Sequence, residues 1–269
     1  MLELAEDEQI YFFEKMKKMA FEGKTPVKKP VFTALVGAPG SGKSTLAAKI
    51  KNSVIISADN VIAEYAKELD IDVREKDFLD KDIAKFASNV NKKIITEAIK
   101  NQYNITYDTS AIKQTMSMIE WMENKGYKTD IKVMLVDEYQ AAMNVAERKA
   151  DYDDAFTRFK RFRHEGAPYP KGNPLHVMPN VSGNVSCAVD DFVQKAVELG
   201  FPIEIYEFGK DKPSFKTGDD FDKFIENLQL KPMEEHIERC DKLKDRMLKA
   251  GKEDYFMQLE LLKKQMSRG

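Results

Sequence analysis

The chain has 269 residues, 42% of them hydrophobic, and a net charge of −2. That length fits one large domain with embellishments, or one domain and a small appendage, with enough apolar content for a real core. The balanced charge gives no global pull toward nucleic acid or an acidic membrane surface, and no stretch is long and apolar enough to span a bilayer.

The chain opens Met1-Leu2-Glu3-Leu4-Ala5-Glu6-Asp7-Glu8, acidic and without the basic start and apolar run of a secretory signal. The two cysteines, Cys187 and Cys240, stand far apart and in no metal-type spacing, so they read as reduced thiols of a cytoplasmic protein. An amphipathic helix is predicted over Ile10 to Phe21, with Ile10, Phe13, Met16 and Ala20 on one face. A linker, 25–30, leads into the first strand, Val31 to Val36. The segment Gly37-Ala38-Pro39-Gly40-Ser41-Gly42-Lys43-Ser44 follows, and a helix opens at Thr45.

Strand, glycine loop and helix in that order form a phosphate-binding device. The glycines let the chain curl so that backbone N–H groups point inward at an anion. Lys43 reaches the β- and γ-phosphates of a bound nucleotide such as ATP, and the Ser44 hydroxyl is a ligand for Mg²⁺.

A second short strand, Ser53 to Ser57, ends at Ala58-Asp59-Asn60, and a helix follows. After a polar stretch, 70–82, a long helix covers 83–100. A third strand, Asn104 to Tyr107, ends at Asp108-Thr109-Ser110. A helix over 114–124 stops near Gly126, with Trp121, Met116, Met118 and Met122 read as core. The fourth strand is 131–136. The segment 139–162 is largely helical and rich in Arg and Lys. A helix over 189–199 and a fifth strand over 202–208 complete the pattern.

Strands alternating with helices at this spacing predict an α/β fold of the P-loop NTPase, kinase-like type: a three-layer sandwich about a parallel sheet of five or six strands. Ligands in such sheets sit beyond the carboxyl ends of the strands. Residues 1–30 are read as an N-terminal helix and linker, 31–230 as the kinase domain, and 231–269 as a helical extension. The extension carries Met233, Ile237, Cys240, Leu243 and Met247 at helical spacing, with a break at Gly251. It either packs onto the main domain or offers a surface to a protein partner.

An acceptor hydroxyl is a poor nucleophile and needs a carboxylate to orient it and take its proton. Asp59, after the second strand, is the candidate base; the alternative is a helix N-cap. Asp108 is a candidate for Mg²⁺ or for the acceptor; the alternative is a turn residue. Arg148, Arg158, Arg161 and Arg163 lie where a lid would sit and would neutralise charge in the transition state; the alternative is a solvated basic helix. His164, His176 and His236 make no ligand spacing and are read as surface or loop residues.

Over about residues 5–210 the chain resembles the zeta toxins and related zeta-like P-loop kinases. The likeness rests on an amphipathic helix before the first strand, Ala34 to Leu46 around the phosphate loop, and Val54-Ile55-Ile56-Ser57-Ala58-Asp59-Asn60. It extends to Thr96-Glu97-Ala98-Ile99, Asp108-Thr109-Ser110 and Ala146-Glu147-Arg148. The resemblance implies Asp59 as catalytic aspartate, Glu97, Asp108 and Thr109 as substrate contacts, and Arg148 at the ATP phosphates. It assigns Gly37 to Thr45 to the nucleotide and leaves a second lid arginine among Arg158, Arg161 and Arg163. The implied reaction is ATP-dependent phosphorylation of the sugar 3′-hydroxyl of UDP-N-acetylglucosamine, by a toxin that an antitoxin partner would restrain. Two other functions stay open: a polynucleotide 5′-hydroxyl kinase, which the basic, aromatic Arg158 to Arg163 run suits, and a non-catalytic nucleotide switch whose helical tail binds a partner.

Overall fold

A computed structural model describes residues 4–37, 40–69, 81–109, 112–136, 140, 141, 143, 144, 147, 187–227, 233–249, 251, 259, 260, 263 and 264. The elements in chain order are α1 (Glu6–Phe21), β1 (Val31–Gly37), α2 (Lys43–Lys49), β2 (Ser53–Ile56), α3 (Ala58–Glu68), α4 (Lys81–Lys100), β3 (Asn104–Thr109), α5 (Ile112–Asn124) and β4 (Lys128–Leu135). Then come α6 (Cys187–Glu198), β5 (Ile203–Glu207), β6 (Phe215–Lys216), α7 (Phe221–Glu226) and α8 (Met233–Lys249).

The strands form one sheet in the order β2-β3-β1-β4-β5-β6. The first five run parallel; β6 pairs antiparallel with β5. The expected α/β sheet is therefore present, with one short antiparallel edge strand added. Two residues of β6 are too few to give a periodic signal in the sequence.

β1 is central and almost wholly buried, which explains its uninterrupted apolar run: a parallel strand with both faces covered has no polar side to show. Alternation sends Phe32, Ala34 and Val36 to the face of the main core, together with Val54, Ile56, Ile105, Ile131, Val133, Ile203 and Ile205. Helices α1, α3, α4, α5 and α6 contribute Phe12, Tyr65, Phe86, Ile119 and Phe192 to that same core. The other face carries a smaller cluster, Leu35, Ala47, Met134 and Tyr206, where α2 lies.

Three expectations about packing are corrected. On α1 Met16 is buried and Phe13 and Ala20 pack against the core as expected, but Ile10 is 64% exposed and Phe12, which meets the rings of Tyr65 and Phe86, is buried in its place. Trp121 is 40% exposed, with the Lys125 ammonium 5.8 Å from its ring centroid, whereas Met122 is fully buried. His236 is buried on the inner face of α8 rather than on the surface; it shares that face with Cys240, Leu243 and Met247, all buried. His164 and His176 lie outside the described residues.

The extension folds back on itself. The Cys240 thiol donates to the Leu259 carbonyl at 3.3 Å, and Lys263 binds Asp241 at 2.6 Å. Burial pushes that thiol up to about 11. Among the described residues, no helix is long and apolar enough to cross a membrane.

Candidate phosphate-transfer site

The site is built at the carboxyl ends of β1, β2 and β3. In the register, Ile56 stands beside Tyr107 and Tyr107 beside Ala34. β2 ends at Ile56 and α3, which carries Asp59, starts two residues later, while β1 runs on to Gly37, so Asp59 and the loop both follow the carboxyl ends of their strands. Asp108 pairs with Leu35 and Thr109 with Val36, on the strand next to the one that feeds the loop. Neighbouring strands lie ~4.8 Å apart, which puts β2 roughly 10 Å from β1. The carboxyl end of β3, with Asp108 and Thr109, lies between the loop and Asp59.

Each glycine of the loop has its own reason. Gly40 and Gly42 have φ of 80° and 92°, a region that side-chain-bearing residues seldom adopt. Gly37 has no positive φ, but a β-carbon there would lie 2.8 Å from Ser41 Oγ and 2.9 Å from the Met134 carbonyl oxygen. The chain is thus closed against β4 at the start of the loop and turned sharply at its end.

Lys43 opens α2, and its Nζ donates to the Gly37 carbonyl at 2.6 Å. The ammonium is thereby held across the loop rather than out in solvent. Thr45 and Leu46 donate their N–H groups to the Gly42 carbonyl at 3.0 and 3.2 Å. The amino end of α2, whose helix dipole favours an anion, follows the loop directly. Ser44 and Thr45 are exposed on the first turn. Ser41 Oγ is buried without a hydrogen-bond partner among the described residues. Such an orphan costs ~1–3 kcal/mol, which a bound phosphate oxygen would offset. The donor set fits a nucleotide phosphate, and Ser44 with Asp108 supplies the hard oxygens that Mg²⁺ takes alongside water and phosphate.

Asp59 is not the N-cap of α3. Ser57 holds that position, with φ −145° and ψ 126°, and Asp59 is in the first helical turn. There the helix dipole favours its charge, and the residue is partly exposed.

Glu97 is not brought to this site. It lies in the last turn of α4, which ends at Lys100, and β3 then starts at Asn104. That is the amino edge of the sheet, opposite the phosphate loop. There Glu97 accepts from Asn101 Nδ2 at 3.0 Å and faces Lys17 of α1 at 3.9 Å. Ala38, Pro39, Ser110, Arg148, Arg158, Arg161 and Arg163 lie outside the described residues.

The residues missed in the sequence sit behind the loop. Residues 140, 141, 143, 144 and 147, after β4, are helical. Asn144 is buried and donates from Nδ2 to the Gly40 carbonyl at 2.7 Å. Its Oδ1 accepts from Gln140 Nε2 at 2.7 Å and from Arg239 Nη2 of α8 at 2.8 Å. Glu147 pairs with Arg239 through one oxygen and with Arg246 through the other, the latter at 3.0 Å. Burial raises the Glu147 carboxyl, but the two guanidinium groups outweigh it and hold it below the usual carboxylate range. No local signal marks this cluster; only the three-residue spacing of Asn144 and Glu147 hints that they share a helix face.

A family model described as "Zeta toxin" matches residues 17–162, which is 146 of the 269 residues. The chain belongs to the zeta toxin family. This zeta toxin family member is accordingly a nucleotide-binding phosphotransferase with a P-loop kinase fold. Two solved structures share that fold. One comes from the PezAT chromosomal toxin–antitoxin system of Streptococcus pneumoniae, with a TM-score of 0.65 at 15% identity, covering 92% of this chain and 97% of that one. The other is the AvrRxo1-ORF1:-ORF2 complex with ATP, with a TM-score of 0.51 at 13% identity, covering 94% and 83%. Comparison with curated proteins gives no match.

Proposed function

We propose that this zeta toxin family member transfers the γ-phosphoryl group of ATP to a hydroxyl of a sugar nucleotide such as UDP-N-acetylglucosamine. The observation that carries the reading is the common edge shared by the phosphate loop, Asp59 and Asp108. The loop N–H groups and Lys43 hold the β- and γ-phosphates. Ser44 and Asp108 would hold Mg²⁺, which would supply charge neutralisation at the phosphates when bound. Asp59, beyond the end of β2, accepts the acceptor's proton, leaving its oxygen free to attack phosphorus. Arg148 and one of Arg158, Arg161 and Arg163 supply the positive charge that the transition state needs. Thr109, beside Asp108, is a contact for the acceptor.

The sugar-nucleotide acceptor is supported by family membership and by a net charge of −2, which does not favour a polynucleotide strand. A restraining antitoxin is supported by the neighbour from the PezAT chromosomal toxin–antitoxin system. The test is a paired assay. Purified protein with ATP and Mg²⁺ is expected to label UDP-N-acetylglucosamine and to leave an oligonucleotide 5′ end untouched. The opposite pattern supports the polynucleotide kinase, and nucleotide binding with transfer to neither supports the switch.

A further inference from the structure

The tail helix reaches the phosphate loop through one buried amide. Asn144 has one carbonyl oxygen and one NH₂ group, and its surroundings decide which way it faces. Two donors, Gln140 Nε2 and Arg239 Nη2, converge on Oδ1, so the NH₂ group is turned toward the Gly40 carbonyl. The reversed amide would set its NH₂ against the Arg239 guanidinium and its oxygen against the Gly40 carbonyl, two repulsive contacts in place of two hydrogen bonds.

Arg239 is itself fixed. The same Nη2 that binds Asn144 also binds Glu147, and Arg246 holds the other oxygen of that carboxylate. The connection therefore runs from α8 to Arg239, to Asn144, to the peptide at Gly40. Gly40 is in the left-handed region, where a small backbone rotation redirects the neighbouring N–H groups.

We infer that Arg239 is a positioning residue for nucleotide binding: through Asn144 it holds the phosphate loop in the conformation that presents its N–H groups to phosphate. The helical extension is then part of the nucleotide site and not an appendage to it. This rests on the loop binding ATP, as proposed above. The effect belongs on affinity, because a loop held in a binding-competent shape helps the ground state and the transition state alike.

The experiment is a double-mutant cycle on the full chain, with the ATP Kd and the split between KM and kcat as readouts. Arg239→Ala and Asn144→Ala are each expected to raise the ATP Kd about five- to tenfold, the loss of one buried hydrogen bond, while kcat at saturating ATP changes less than KM. The double variant is expected to be no weaker than the singles, because both remove one connection. Arg239→Lys keeps the charge and part of the hydrogen bonding, so its Kd should fall between wild type and Arg239→Ala. Lys242→Ala on the same helix breaks only an exposed pair with Glu238 and is the control, expected to match wild type.

Melting temperatures separate binding loss from unfolding, and Arg239→Lys keeps the test decisive if Arg239→Ala does not fold. Multiplying Kd effects in the double variant, or a wild-type Kd in Arg239→Ala, overturns the inference alone. A wild-type protein that binds no nucleotide overturns the kinase reading and this inference with it.

Discussion

Gly37 and Met134 touch so closely that nothing larger than a hydrogen fits between them: a β-carbon on Gly37 would lie 2.9 Å from the Met134 carbonyl oxygen and 3.0 Å from its Cβ. The register places Gly37 directly beside Met134, and both contacts belong to a strand that cannot give way without disturbing the sheet. Gly37→Ala is therefore expected to destabilise the protein by ~1–3 kcal/mol through overpacking and to weaken nucleotide binding. Gly42→Ala has room, with its nearest neighbour at 3.5 Å; its cost of ~1–2 kcal/mol comes from the left-handed backbone instead. Thermal melts of both variants check this. A Gly37→Ala protein that melts and binds ATP like wild type would contradict it.

Asp59→Asn keeps the shape of the side chain and removes its ability to take a proton. If Asp59 is the base, transfer should fall ~10²–10⁴-fold, with ATP affinity within a few-fold of wild type because the loop and Lys43 are untouched. The comparison needs two measurements on one preparation: turnover with the acceptor, and ATP binding without it. Undiminished turnover rules out Asp59 as base and leaves it as a first-turn charge on α3.

The sheet and the loop were legible because both leave strong local marks. A buried parallel strand such as β1 is apolar throughout, and a glycine loop between a strand and a helix has few other uses. The reason for Gly37 was not legible, since backbone freedom and lack of space give the same residue. Arg239 and Asn144 were out of reach for another reason: they stand 95 residues apart, and neither sits in a motif. Burial of Phe12 in place of Ile10 shows a third limit. Phe13, Met16 and Ala20 keep the face that the helical period gives, but whether Ile10 or Phe12 completes it is decided only by the rings of Tyr65 and Phe86. Glu97 was misplaced by sequence likeness alone, because a helix residue near the amino edge of the sheet carries no mark of which edge it serves.

That placement makes a direct prediction for Glu97. Its partners are Asn101 and, at 3.9 Å, Lys17, and it is partly exposed. Glu97→Gln is expected to leave the acceptor KM within about twofold and to cost under ~1 kcal/mol, as for other exposed pairs. Steady-state kinetics with varied acceptor decides the matter. A tenfold rise in KM would mean that Glu97 reaches the substrate after all.

Glu204 should make stability depend on pH in the acid range. It accepts hydrogen bonds from Lys132 Nζ and Tyr206 Oη, both at 2.6 Å, and lies 3.3 Å from Lys216. Burial alone would raise its pKa, but these three partners outweigh it and bring it down to about 2. An unfolded chain restores a Glu value of ~4.3. With the folded value depressed, the stabilisation is complete above that unfolded pKa and is lost as pH falls from about 4.5 toward 2. The most it can contribute is on the order of 3 kcal/mol at neutral pH. Glu204→Gln lacks this contribution at every pH, so the wild-type drop between pH 5 and pH 3, where roughly half of it is lost, should shrink by about 1.5 kcal/mol. Urea midpoints for both proteins at the two pH values test this. Lys132 keeps Asp130 at 3.1 Å in the variant, so its charge is not stranded when Glu204 goes, and an equal pH dependence in the two proteins would remove Glu204 from the acid response.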